Sequence, residues 1–286
     1  MKNFDDLTIA DDYMFYRVME NMNICKTLLN IVLHDKTDTI TEIQLQRTIA
    51  DAGMAKGVRF DVWAKDCNGT IYDIEMQAIN KDDLARRIRY YQSAIDVSVL
   101  EKNNPYEDLP DSFIIFFCTF DYLGKELPVY TFKTVCSEDA NIHLDDGITK
   151  IIINSKAAEK EASPALKNFL QYMNGKQVNG DEFICTIEQR IREVKESEEL
   201  RKEYMLINSF ERDARNDGWK SGWKDGMQAG MQAGMQAGIV QGRSEGITQG
   251  FSDGVRQTAK LMKQANCELS FIMQMTSLSE AEIENL

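Results

Sequence analysis

Histidine is nearly absent: 286 residues contain two, His34 and His143, in unrelated contexts. That scarcity argues against histidine-rich metal sites and against a Ser-His-Asp hydrolase, and leaves both residues with structural roles. The six cysteines, Cys25, Cys67, Cys118, Cys136, Cys185 and Cys267, include no C-x-x-C pair, so a zinc knuckle is not expected and the thiols suit a reducing cytosol. The start, MKNFDD, is acidic and does not read as a secretory signal. The longest apolar run, FIIFFCTF at 113–120, is far short of the ~20 residues that cross a bilayer. It reads as a central strand, so no membrane span is expected and the location expected is cytoplasmic. Positive charge is short as well. With a formal net charge of −13, any contact with nucleic acid needs a local basic patch, because the field of the whole chain repels phosphate.

What is present suffices for a real core. Hydrophobic residues make up 43% and charged residues 28%, a globular balance for one large domain or one domain with appendages. Strand-like and helix-like patterns mix over residues 1–177, an α/β domain. Strands then disappear. Residues 178–217 read as a helical connector, in which DEFICTIEQRIREV places Ile184, Ile187, Ile191 and Val194 at helical spacing on an amphipathic helix that needs a partner.

Residues 218–254 carry a repeat, GWKSGWKDGMQAGMQAGMQAGIVQGRSEGITQGFSDG, with glycine at every fourth position from Gly218 to Gly254. On a helix each glycine costs ~1 kcal/mol against alanine, so such a helix calls for close packing against other helices. A four-residue step advances about 40° around the axis each time, the sense that favours right-handed supercoiling. A flexible linker is the competing reading. It would leave Trp219, Trp223, Met227, Met231 and Met235 in water, so a self-associating helical segment, and hence a homo-oligomer, is the expectation. Residues 255–286 read as short helices in a helix-turn-helix-like unit with Asn266 as a stop, Ser277 or Ser279 as a cap, and few basic residues for reading a groove.

The candidate chemistry lies in VRFDVWAKDCNGTIYDIEMQ. Val58 to Lys65 alternates, Ile71 to Gln77 alternates, and Cys67-Asn68-Gly69 suits a three-residue hairpin loop with a left-handed glycine at its end. With that loop Asp66 faces Thr70, Trp63 faces Asp73 and Asp61 faces Glu75. A two-residue Asn68-Gly69 turn would leave the two carboxylates diagonal instead. Alternation alone also fits a plain hairpin with one wet face. Directly opposed like charges destabilise a sheet and call for a cation, and oxygen donors of this kind suit Mg²⁺ or Mn²⁺, which accept phosphate oxygens as further ligands. Metal-assisted phosphodiester hydrolysis is the chemistry so implied.

Arg86, Arg87 and Arg89 with Tyr90 and Tyr91 form a dense basic-aromatic cluster just downstream. On a helix Arg87 and Tyr91 share a face, where a guanidinium could clamp phosphate. The bland alternative is a solvated face with tyrosines tucked into the core.

An acid on one strand followed by acid-x-polar on the next resembles the PD-(D/E)xK nuclease core. The chain is more specifically similar to the PD-(D/E)xK nuclease family transposases, the recombination-promoting nucleases. That likeness is carried by DDYMFYRVM, the hairpin ending DIEMQ, RRIRYYQS, IIFFCTFD, HLDDGITKIIINSK, LKNFLQYMNG and the glycine-every-fourth tail. The resemblance implies a restriction-endonuclease-like α/β fold, a mixed sheet flanked by helices, with an all-helical C-terminal extension. It implies a metal-dependent DNA endonuclease acting in recombination or transposition, with Asp61 and Glu75 as metal ligands and the backbone carbonyl of Met76 as a further donor. Gln77 stands where the family usually has lysine. Glutamine there is an accepted variant that can hydrogen-bond water but brings no charge. Asp12 could add a carboxylate or serve simply as a helix N-terminal acid, while Asp73 is read as a neighbour and not a ligand. A DNA-binding or regulatory protein that keeps the fold and has lost turnover is the alternative.

Overall fold

In a computed structural model, which describes residues 2–34, 37–49 and 57–286, the chain divides into two compact units, Met1–Asn208 and Ser209–Leu286. Its elements in order are α1 (Asp12–Met19), α2 (Met22–Leu33), β1 (Ile40–Ile49), β2 (Val58–Asp66), β3 (Ile71–Gln77), α3 (Leu84–Val99), β4 (Ser112–Cys118), β5 (Val129–Phe132), β6 (Ile148–Asn154), α4 (Pro164–Met173), α5 (Glu182–Glu196), α6 (Glu198–Gln264), α7 (Leu269–Thr276) and α8 (Glu280–Glu284).

The first unit is built on a six-stranded mixed sheet in the order β1-β2-β3-β4-β6-β5. Strands β1, β2 and β3 run antiparallel; β3, β4 and β6 are parallel; β5 returns antiparallel on the far edge. A parallel neighbour needs a crossover, and α3 supplies it between β3 and β4. The run in β4 is apolar on both sides because both sides are covered. Ile115 and Phe117 join the cluster formed with α1, α2, α4 and α5, whereas Ile114, Phe116 and Cys118 join the cluster under α3. Burying a phenylalanine such as Phe117 contributes roughly 1.5–3 kcal/mol, which is why β4 lies at the centre and not at an edge.

The amphipathic helix expected at Asp181 is α5. Asp181 caps it by accepting from the Ile184 N–H, and Ile184, Ile187, Ile191 and Val194 are all buried. Ser163 caps α4 in the same manner, with Pro164 in the first turn where its missing N–H is harmless. Leu200, Tyr204 and Ile207, at the start of α6, also pack on the first cluster.

In the second unit, α6 carries the glycine repeat as continuous helix, and a side chain built at any glycine from Gly218 to Gly254 would meet open space. Trp219, Trp223, Met227, Met231 and Met235 are exposed along it. The unit closes on a small core of Ala259, Ile272 and Ile283. Asn266 is left-handed (φ 56°) just beyond α6, Ser277 is left-handed beyond α7, and Ser279 forms a capping box with Glu282 at the start of α8. Among the described residues no helix is long and apolar enough to cross a membrane.

Candidate active site

The hairpin of β2 and β3 closes as a three-residue loop. The Asp66 N–H donates to the Thr70 carbonyl at 3.1 Å, and Gly69 takes φ +92°, a conformation in which a Cβ is strained. The Asp66 carboxylate fastens the turn, accepting from the N–H groups of Asn68 and Thr70 at 2.9 Å and from the Tyr72 hydroxyl at 2.8 Å. Register follows from the loop: Lys65 faces Ile71 and Trp63 faces Asp73.

The backbone ladder between these strands reaches Val62↔Ile74 and then gives way to side chains. The N–H of Asp61 donates to Glu75 Oε1 at 2.8 Å, and the N–H of Met76 donates to Asp61 Oδ2 at 3.3 Å. Asp61 Oδ1 accepts from Gln46 Nε2 at 3.1 Å. Gln46 is itself left-handed (φ 48°), and the facing pattern of β2 turns over beside it. Val62 and Ala64 lie in the first cluster, whereas Val58, Phe60 and Trp63 lie in the second, which strict alternation forbids. That local turn re-aims Asp61 toward the mouth of the sheet, the use to which strand irregularities near functional sites are put.

Three carboxylates collect here under α3, and two of them are buried: Asp73 is 0% exposed and Glu75 4%. Burial pushes Asp61 up to about 6, with the Asp12 charge adding to the effect. Burial and the Asp61 charge drive both Asp73 and Glu75 well above the usual carboxylate range, and the Asp73 charge raises Glu75 further. Neither oxygen of Asp73 meets a donor among the described residues.

Asp61 and Glu75, but not the fully buried Asp73, face a cleft of about 490 Å³ lined also by Met76, Gln77, Arg87 and Tyr91, with Asp12, Arg59 and Lys81 on its walls. Asp12 opens α1, accepts from the Tyr13 N–H at 2.7 Å, and also lines the cleft. Arg87 points inward and Tyr91 is half-buried against Phe60, ring centroids 5.2 Å apart. Burial and the Glu75 charge raise the Tyr91 phenol. Arg86 and Arg89 are exposed on other faces of α3 and do not line the cleft. Sequence reading missed Arg59 and Lys81. Arg59 sits two residues before Asp61 in the alternating strand, a signal that was available, whereas Lys81 follows the end of β3 and carries no pattern.

Gln77 lines the cleft with its amide held by protein partners. Its Oε1 accepts from Arg87 Nη2 and its Nε2 donates to the Ile79 carbonyl, so both ends of the amide are engaged. Among the described residues no group of three or more His, Cys, Asp or Glu side chains is arranged to enclose a metal ion. Asp61, Glu75 and Met76 nevertheless line the cleft side by side.

A mixed sheet whose acid-bearing hairpin opens onto a cleft with arginine and lysine walls defines an α/β nuclease core. The chain matches the PD-(D/E)XK nuclease family transposase over residues 10–217, well over half its length, and it belongs to that family. Neither the curated proteins nor the solved structures give a match. Membership implies a hydrolase with DNA as substrate, in a family whose nucleases typically use a divalent metal. The match ends one residue before Gly218, where the spaced glycines begin.

Proposed function

We propose that the protein is a metal-dependent DNA endonuclease that hydrolyses phosphodiester bonds during recombination or transposition. The observation that carries this reading is the interlock of Asp61 and Glu75 on the cleft floor, each held by the other's strand at 2.8 and 3.3 Å. The donor set fits Mg²⁺ or Mn²⁺. Buried carboxylates that repel one another, one of them with no donor on either oxygen, lack positive charge, and hard oxygen ligands with room for water and phosphate suit those ions. Asp61, Glu75 and the Met76 carbonyl would hold the ion, which when bound polarises water and offsets charge on the scissile phosphate.

The chain's own residues do the rest. Gln46 and the Met76 N–H fix the Asp61 carboxylate, and the Asp61 N–H fixes Glu75, so neither has to reorganise when substrate arrives. Arg59 and Lys81 supply the local basic wall that a chain of net charge −13 needs to admit a polyanion. In the hydrolysis the water oxygen bonds to phosphorus and the bond from phosphorus to the leaving sugar oxygen breaks. One water proton ends on the sugar hydroxyl and the other stays with the new phosphate monoester.

Plasmid nicking tests this. Cleavage with Mg²⁺ or Mn²⁺ that disappears in Asp61→Ala and Glu75→Ala supports it; intact DNA with retained binding overturns it in favour of a regulatory protein on the same fold. We further propose that α6 joins several copies through its glycine stripe, since ten glycines in one exposed helix forfeit about 10 kcal/mol against alanine unless a partner helix packs on them.

A further inference from the structure

We infer that Arg87 carries the positive charge that lysine carries at position 77 in related nucleases, and that Gln77 is the residue that positions it. This inference rests on the nuclease reading above and concerns how the same site stabilises its transition state.

The geometry is specific. Gln77 is the last residue of β3, two positions beyond Glu75 on the same face. Its amide is held by two protein partners, the Arg87 guanidinium on its oxygen and the Ile79 carbonyl on its nitrogen, and it brings no charge of its own. Arg87 comes in from α3 and is fixed on three sides. Nη2 is held by Gln77, and the guanidinium carbon lies 4.8 Å from the centre of the Phe116 ring and 5.7 Å from that of Tyr91. Its Nε is buried and meets no acceptor among the described residues. Arg87 sits close enough to Glu75 and Asp73 for its charge to favour their ionised forms, yet among the described residues it forms an ion pair with neither.

A cation tied to a carboxylate is neutralised. One tied to a neutral amide keeps its full charge and its remaining N–H groups, and Arg87 is therefore poised to meet a phosphate oxygen whose negative charge grows as water attacks. Arginine stays protonated throughout, so it takes no proton from the water; its contribution is electrostatic. A phosphate clamp would bind ground state and transition state alike, whereas this placement beside the carboxylates favours the transition state. The missing lysine has thus moved from the strand to the helix behind it, with glutamine retained as its strut.

The experiment compares supercoiled-plasmid cleavage by the full chain in Mg²⁺ and Mn²⁺ with DNA binding in Ca²⁺ read by fluorescence anisotropy. Its variants are Arg87→Met, Arg87→Lys and the double variant Gln77→Lys/Arg87→Met. Arg87→Met is expected to lower kcat by ~10²-fold or more, with DNA affinity falling less than about threefold if the contact is made chiefly in the transition state. Arg87→Lys, which keeps the charge and removes the fork, is expected to retain more activity than Arg87→Met. The double variant is expected to recover at least about tenfold over Arg87→Met, because a lysine returns a cation to the same place. Loss of affinity in proportion to lost cleavage, with kcat unchanged, overturns the inference, as does a double variant no faster than Arg87→Met. Cleavage that depends on Asp61 but survives Arg87→Met overturns this inference alone; a wild type that cleaves nothing overturns the nuclease reading and this inference with it.

Discussion

The backbone N–H of Asp61 donates to the side chain of Glu75 at 2.8 Å, just beyond Val62 and Ile74, the last paired residues of β2 and β3. One consequence concerns which part of Glu75 matters. Glu75→Gln keeps an oxygen to accept that bond and removes the charge, so it is expected to fold as the wild type does and to lose metal-dependent cleavage by ~10²-fold or more. Glu75→Ala is expected to lose cleavage and also to melt earlier, because the Asp61 N–H is left without its acceptor, at a cost on the order of 1–3 kcal/mol. Plasmid nicking and thermal melting of both variants check the pair.

The raised carboxyls make the metal-free protein less stable toward neutral pH. A carboxyl whose pKa is higher folded than unfolded contributes stability that is complete below the unfolded value, near 4, and is lost as pH rises through the folded value, about 6 for Asp61. The melting temperature of wild type relative to Asp61→Asn is therefore expected to fall between pH 4 and pH 7. A divalent ion reverses this, raising the melting temperature more at pH 7.5 than at pH 5. Differential scanning fluorimetry across that range, with EDTA and with Mn²⁺, reads both effects.

Asp73 holds a carboxyl in a place with no donor for either oxygen. Asp73→Asn removes the charge and brings an N–H₂ that can donate to its carboxylate neighbours. The variant is expected to be more stable at pH 7.5 by roughly 1–3 kcal/mol, seen as a higher melting temperature without metal. An unchanged or lower melting temperature would show that the carboxyl is satisfied as it stands.

The exposed stripe on α6 leads to a prediction about assembly. Met231→Lys with Met235→Lys places two charges in the uncharged MQAG stretch, where a helix partner would have to bury them. Sedimentation is expected to shift from an oligomer in the wild type to a smaller species in the variant, with unchanged melting of the nuclease unit.

Much of this site was legible because its governing signals are local. Gly69 at the end of Cys67-Asn68-Gly69 fixes the loop, and the loop fixes the register as far as Val62 facing Ile74, one residue before Asp61 and Glu75. The central position of FIIFFC follows as directly, since apolar residues on both faces need cover on both. The rest depends on residues distant in sequence. Alternation in IYDIEMQ suggests a wet acidic face, yet α3 lies over it and buries Asp73 and Glu75. The turning-over of β2 at Asp61 depends on Gln46, fifteen residues earlier, adopting a left-handed backbone. The engagement of Gln77 by Arg87 joins a strand end to a helix ten residues on, and no periodicity announces it.

The central claim is that Asp61 and Glu75 together hold one hard divalent ion at the floor of the cleft. Crystals soaked in Mn²⁺ and measured for anomalous scattering test it most directly. A peak within coordination distance of an Asp61 oxygen, a Glu75 oxygen and the Met76 carbonyl, absent in Glu75→Gln crystals, is the result expected; a cleft that stays empty at millimolar Mn²⁺, or a peak bound elsewhere, contradicts it.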